Sequence, residues 1–197
     1  HVIITAVDLK TFAPNKKSDS IRREMTFKDK DGFLCVYVGR ISKEKRIDVI
    51  LDAIKQIPNV YLAIVGDGPA AKQYAALHGK DNRVWCRPRF LNHDELAEVY
   101  ASADVHVSGS VFETLGNTVL EAYACGTPVV VPRTQGFLDT VNENVDGFFF
   151  EPGNSDDAKR QILRLKNDKK LCIQMGASGR GNMNERTIER VVNDLLA

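Results

Sequence analysis

The chain has 197 residues, 43% of them apolar and 27% charged, with a formal net charge of +1. That length supports one sizeable core without metal or disulfide staples, and the near-neutral balance excludes a global field for nucleic acid or an anionic membrane. No apolar run approaches the roughly 20 residues of a membrane-spanning helix, no signal-peptide pattern is visible, and the four cysteines are widely spaced with no C-x-x-C, so a reducing, cytoplasmic setting is expected rather than a disulfide framework.

The chain opens at His1 directly into the apolar run Val2-Ile3-Ile4, which reads as a strand and leads us to expect a further segment upstream. Residues 8–32 carry Pro14, Lys16-Lys17, Arg22-Arg23 and a charge cluster at 28–31, and read as a linker or irregular lead-in. From there apolar runs alternate with helical spacing. Residues 33–38 read as a buried strand ending at Gly39, and 48–56 as a helix carrying Ile50, Leu51 and Ile54. Residues 60–65 form a second expected strand ending at Gly66, and 69–77 a helix with Pro69 in its first turn. Further strands are expected at 84–86, 103–107, 128–131 and 147–150. Helices are expected at 94–101, after Gly116, at 155–166, at 168 to about 176, and at 186–196.

Such alternation, with nearly continuous apolar strands, specifies an α/β fold: a doubly wound, Rossmann-like parallel sheet covered on both faces. Ligands of these sheets bind at the carboxyl ends of the strands. Gly39, Gly66, the segment 87–91 and the stretch from Glu113 to Gly116 all follow strands and are expected on that one edge.

Three stretches there carry chemistry. Gly39-Arg40-Ile41-Ser42-Lys43-Glu44-Lys45 offers close backbone approach, a planar guanidinium and a mobile ammonium, a set suited to phosphate; alone, it also reads as a basic surface loop. Gly66-Asp67-Gly68-Pro69-Ala70-Ala71 imitates a dinucleotide fingerprint, but it follows the second strand and lacks the later acidic partner. A tight turn lining a nucleotide pocket is the better reading. Glu113 and Glu121 stand eight residues apart, the first on a strand-to-helix loop and the second one turn inside the helix. Between them lies a helix N-terminus with free N–H donors for an anion. Two surface acids near a helix start would look the same in sequence. The four histidines show no metal-ligand spacing, and His106, alternating within a strand, reads as structural. There is no Walker loop, no G-x-S-x-G elbow and no H-E-x-x-H.

Taken together, these stretches resemble the C-terminal, donor-binding half of a family-four retaining glycosyltransferase of the two-Rossmann, type B architecture. Val7-Asp8 with Phe12-Ala13-Pro14 is similar to that family's interdomain connection; Val38-Gly39-Arg40-Ile41 with Lys45 matches its diphosphate motif; Glu113 to Glu121 matches its E-x7-E signature; Gly126-Thr127-Pro128 and Phe150-Glu151-Pro152 match further segments. The resemblance implies a domain layout of connection and lead-in at 1–32, nucleotide-sugar-binding domain at 33–185 and closing helix at 186–197, with the acceptor-binding N-terminal domain absent from this chain.

It also implies roles. Arg40 and Lys45 would neutralise the leaving diphosphate, and Glu113 would face the transferred sugar. The backbone from Leu115 to Thr118, reached through Thr114 and including Gly116 and Asn117, would hold phosphate and sugar. Glu121 would accept from the ribose, the base would sit against backbone near Gly66 and Leu91, and Gly39 and Asp67 would also belong to the donor-binding set. The expected reaction is hexosyl transfer from UDP- or GDP-sugar to a lipid or glycan acceptor, with no metal and no cofactor. The expected partners are the donor and, through the absent domain, the acceptor. Contact of the full protein with a membrane surface stays open, and the isolated chain is expected to bind nucleotide without turning over. Alternatives on the same architecture are a nucleotide-sugar epimerase, a phosphorylase and a non-catalytic nucleotide-binding module. Three departures from the pattern stand out: Arg46 in place of a glycine after the lysine, Arg87-Pro88-Arg89-Phe90 in place of Phe-Leu-Gly, and Gln135-Gly136 in place of a double glycine. The Thr-Leu-Gly run after Glu113 is similar to members that glycosylate lipids.

Overall fold

Six strands form one sheet in the order β3-β2-β1-β4-β5-β6, every neighbouring pair parallel, in a computed structural model that describes residues 7–78, 80–81, 83–113 and 116–183. The expected strand at 2–4 and the expected helix at 186–196 lie outside the described residues.

In chain order the elements are α1 (Asp19–Met25), β1 (Phe33–Val38), α2 (Ile47–Lys55), β2 (Val60–Val65), α3 (Ala71–Ala75), β3 (Val84–Cys86), α4 (His93–Ser102), β4 (Val105–Val107), α5 (Asn117–Ala124), β5 (Val129–Pro132), α6 (Gln135–Leu138), β6 (Gly147–Phe150), α7 (Ser155–Asn167) and α8 (Lys169–Asn182). Every residue of β1 is buried, as expected for a central strand covered on both faces. One core layer holds Cys35, Tyr37, Ile50, Ile54, Leu62, Ile64 and the inner faces of α2 and α7. The opposite layer holds Leu34, Val36, Val38, Tyr100, Leu120 and Tyr123. In α2 the apolar residues Ile47, Ile50, Leu51 and Ile54 are all buried, and each contributes about 1.5–3 kcal/mol of burial free energy. The four cysteines are free and buried, Cys86 to Cys172 with thiols pushed up to between about 11 and about 12 by desolvation.

Several boundaries differ from the sequence reading. The lead-in is not irregular throughout: 19–25 is a helix. Ser18 caps it by accepting from the Ile21 N–H at 3.3 Å. Arg22 ties the helix to the sheet, reaching the Ser102 carbonyl, the Gly32 carbonyl and Asp104, each at 2.8 Å. Its run of charges hid one buried residue, Met25. The helix expected at 69–77 covers only Ala71–Ala75, because the preceding turn pairs with the loop after β1 instead: the Ile41 N–H donates to the Asp67 carbonyl and the Ala70 N–H to the Ile41 carbonyl. The helix expected to stop near Gly176 runs on to Asn182. Gly176 is a packing residue there, since a Cβ would collide with the Gly126 carbonyl.

Helix starts are treated in two ways. Ser18, Asn92, Asn154 and Asp168 each cap α1, α4, α7 and α8 with a side-chain oxygen. Helices α2, α3, α5 and α6 begin with no side-chain cap.

Candidate functional site

The loops leaving β1, β2 and β3 meet the first turns of α5 along the carboxyl edge of the sheet, as strand polarity requires. A cavity of about 700 Å³ opens there, lined by Gly39, Arg40, Gly66, Asp67, Leu91, Thr118 and Glu121. Gly66 sits at φ +134°, where a Cβ would collide with the Gly39 carbonyl, so the two strand-end loops touch backbone to backbone. Asp67 turns inward on its own loop, accepting from the Gly68 N–H at 2.7 Å. Among the described residues, the Arg40 guanidinium makes no salt bridge or side-chain hydrogen bond, while its carbonyl accepts from the Tyr37 hydroxyl at 2.7 Å. The cation is therefore held by its backbone and left to the cavity.

Glu121 lies partly buried in the wall formed by α5. The buried Tyr100 hydroxyl donates to its Oε2 at 2.9 Å. Burial raises the Glu121 carboxyl above its usual range, against the lowering effect of that hydrogen bond. One turn earlier, Thr118 meets His106 of β4. The Val36 carbonyl, 3.1 Å from Nδ1, can only accept, so Nδ1 carries the proton and Nε2 accepts from the Thr118 hydroxyl at 3.2 Å. His106 is fully buried, and desolvation depresses its pKa to about 4. It is a neutral core histidine, as its strand alternation suggested.

The second cluster joins Lys45 to Glu113. Lys45 Nζ donates to Glu113 Oε2 at 3.2 Å, to Ser110 Oγ at 3.3 Å and to the Phe112 carbonyl at 3.4 Å. Ser110 Oγ also donates to the Phe112 carbonyl at 2.8 Å. Both partners of the ion pair are partly buried. Gly136 presses on the Glu113 backbone so closely that a Cβ would collide with its carbonyl. Gly116 follows at φ +59°, and Asn117 opens α5 without a side-chain cap. Thr114 and Leu115 lie outside the described residues. Arg46, at the position where the resemblance expects glycine, adopts a left-handed φ of 46° and ψ of 42°. Its guanidinium is forked onto Asp48 at 3.1–3.2 Å.

Of the residues singled out in the sequence, seven line the cavity and two, Lys45 and Glu113, form the adjoining pair. Sequence reasoning did not find Phe90, Ser110, Tyr100 or the contact of Gly136 with Glu113. Only the aromatic at 90, next to a strand end, left a signal in the sequence. Among the described residues, no group of three or more His, Cys, Asp or Glu side chains could hold a metal ion, and no helix is long and apolar enough to cross a membrane.

Residues 18–182 match the family described as glycosyl transferases group 1. The chain belongs to that family. The sulfoquinovosyl transferase SQD2 of Arabidopsis thaliana is 33% identical over 177 residues, an alignment covering 88% of this chain and 34% of SQD2. Among solved structures, Anabaena Alr3699/HepE, in complex with UDP and glucose, superposes with a TM-score of 0.82 at 23% identity, over 97% of this chain and 54% of HepE. The C-terminal domain of the group 1 glycosyl transferase LpcC from Francisella tularensis matches with a TM-score of 0.75 at 20% identity, over 93% of this chain and 100% of that domain. At these identities the two structures establish the fold, which is the Rossmann-like α/β fold read from the alternation of strands and helices. The chain spans about a third to a half of the length of the curated family relatives it matches.

Proposed function

We propose that this chain is the donor-binding half of a family-four, retaining glycosyltransferase, transferring a hexose-type sugar from a UDP- or GDP-linked donor to a lipid or glycan acceptor. The observation that carries the reading is the pairing of Lys45 with Glu113 beside a cavity that also collects Arg40 and Glu121. Two cations and two carboxylates on one sheet edge match a ligand that carries phosphate between two hydroxyl-bearing sugars.

In this reading the bond between the anomeric carbon and the diphosphate breaks, and negative charge grows on the leaving phosphate. Arg40 and Lys45 stabilise that charge, together with the N–H groups at the start of α5, including those of Gly116, Asn117 and Thr118. These groups do electrostatically what a bound cation would do, so the reaction is metal-independent and uses no cofactor. Glu113 faces the transferred sugar. Glu121 accepts from the ribose, and the base lies against the backbone near Gly66 and Leu91. Support comes from HepE, which has the same fold and was crystallised with UDP and glucose. Residues 33–185 then belong to the nucleotide-sugar domain and 1–32 to the connection to an acceptor-binding domain. The full protein works in the cytoplasm, and where the acceptor is a lipid, it meets that acceptor at a membrane surface.

The test is calorimetric titration of the chain with UDP, GDP and their hexose conjugates, followed by a turnover assay. Binding of one nucleotide family without turnover is expected. Robust transfer by the chain alone would refute the half-site reading, and lack of any nucleotide binding would refute the donor site. In the full-length protein, unchanged transfer by Glu113→Gln would remove Glu113 from the mechanism.

A further inference from the structure

We infer that Phe90 is the stacking platform for the nucleobase of the donor, an inference that rests on the nucleotide-sugar reading of the cleft. The ring is 84% exposed and lines the 700 Å³ cavity. A phenylalanine left in water contributes no burial free energy to the fold.

Its backbone, by contrast, is held from both sides. Arg89 pairs with Gly66 in an antiparallel bridge, which fastens the loop to the end of β2. The Arg89 guanidinium bonds Glu95 at 3.0 Å. Two residues beyond Phe90, Asn92 caps α4: its side chain accepts from the Glu95 N–H, and Glu95 accepts from the Asn92 N–H, both at 2.9 Å. One glutamate thus grips the chain before and after Phe90. A ring presented on an anchored backbone loses little freedom when a ligand lies on it.

Topology decides which part of the ligand that is. Phe90 and Leu91 follow β3, at one border of the sheet, while Val65 ends its neighbour β2 and Pro69 follows it. With Leu96 they give this end of the cavity an apolar lining, beside which Asp67 turns its carboxylate back onto the Gly68 N–H at 2.7 Å. Thr118 and Glu121 enter from α5, which follows β4, on the far side of β1. The cavity therefore has a polar wall at α5 and an apolar platform at the β3 border, which suits a ligand with a planar ring at that end. Stacking on an aromatic ring needs no polar side chain, because every base has a π face.

Calorimetry with UDP, GDP and dihydrouridine diphosphate tests this. The dihydro ring keeps the hydrogen-bonding edge of uracil but is puckered and stacks poorly. The wild-type chain should bind UDP more tightly than the dihydro analogue. Phe90→Ala should weaken UDP and GDP by about tenfold or more and bind UDP and the analogue alike, with its circular dichroism unchanged. Phe90→Trp should restore both the affinity and the preference. Wild-type affinity for UDP in Phe90→Ala would overturn the proposal, as would an undiminished preference for UDP over the analogue. If the wild-type chain binds none of the three ligands, the donor-site reading falls and takes this inference with it, an outcome distinct from binding that ignores the ring.

Discussion

Lys45 and Glu113 meet at 3.2 Å although 68 positions separate them in the chain. One comes from the loop after β1 and the other from the loop after its neighbour β4, so parallel pairing of the two strands brings them together. In the full-length protein, Glu113→Gln should lower kcat by about 100-fold or more while leaving UDP or GDP affinity within about threefold of wild type. Lys45→Met should lower both. Steady-state kinetics alongside calorimetry separates the two outcomes.

Gly136 packs against Glu113 at a spacing that leaves no room for a Cβ. Gly136→Ala should displace the Glu113 loop and reduce transfer by about tenfold or more, with nucleotide affinity nearly preserved. A variant that transfers normally would show that the loop yields without consequence.

Glu121→Ala should weaken nucleotide binding by about 1–3 kcal/mol, the usual cost of a lost charged hydrogen bond. The Glu121 carboxyl is raised by burial, so it takes up a proton sooner than an exposed glutamate as pH falls. A protonated carboxyl is a poorer acceptor for a ribose hydroxyl. Nucleotide affinity should therefore fall on the acid side in the wild type and be flatter with pH in Glu121→Gln, as calorimetry at stepped pH would show.

His106 links stability to pH. Its pKa drops from 6.5 unfolded to about 4 folded, so between these values the unfolded chain binds the proton and the folded one does not. Stability is fully present above the unfolded value and is lost as pH falls toward the folded one, by about 2 kcal/mol at about pH 5. Urea denaturation should show this slope reduced in His106→Phe.

Arg46 occupies a left-handed conformation that costs an ordinary residue about 1–2 kcal/mol. Arg46→Gly relieves that strain but adds freedom to the unfolded chain and removes the Asp48 fork, so its net change should stay within about 1 kcal/mol. Arg46→Val should destabilise by more than that. Thermal melts of the two variants give the comparison.

The strands were legible because each is a continuous apolar run, and the shared sheet edge followed from their polarity. The Arg40, Lys45, Glu113 and Glu121 set was legible because each residue stands just past a strand or one turn into the following helix. What stayed hidden depends on contacts remote in sequence. Nothing near Gly136 announces that it supports Glu113, and nothing near Tyr100 announces a bond to Glu121. A helix end near Gly176 is what the local sequence suggests, because glycine signals a terminus, whereas here its small size serves the packing of α8 on the turn before β5. Met25 leaves no mark in the sequence, because one buried residue among charges carries no periodicity.

The division of helix starts has a consequence for dynamics. The four side-chain-capped helices have their first turns locked by the protein itself, and each missing cap elsewhere forfeits about 1 kcal/mol. The uncapped starts belong to the helices that follow β1, β2, β4 and β5, so the amides least secured by the fold gather along its carboxyl edge. These turns are the ones expected to fray and exchange their hydrogens first. An anion arriving at α5 would complete that helix, and the gain in local order would be part of the free energy of binding.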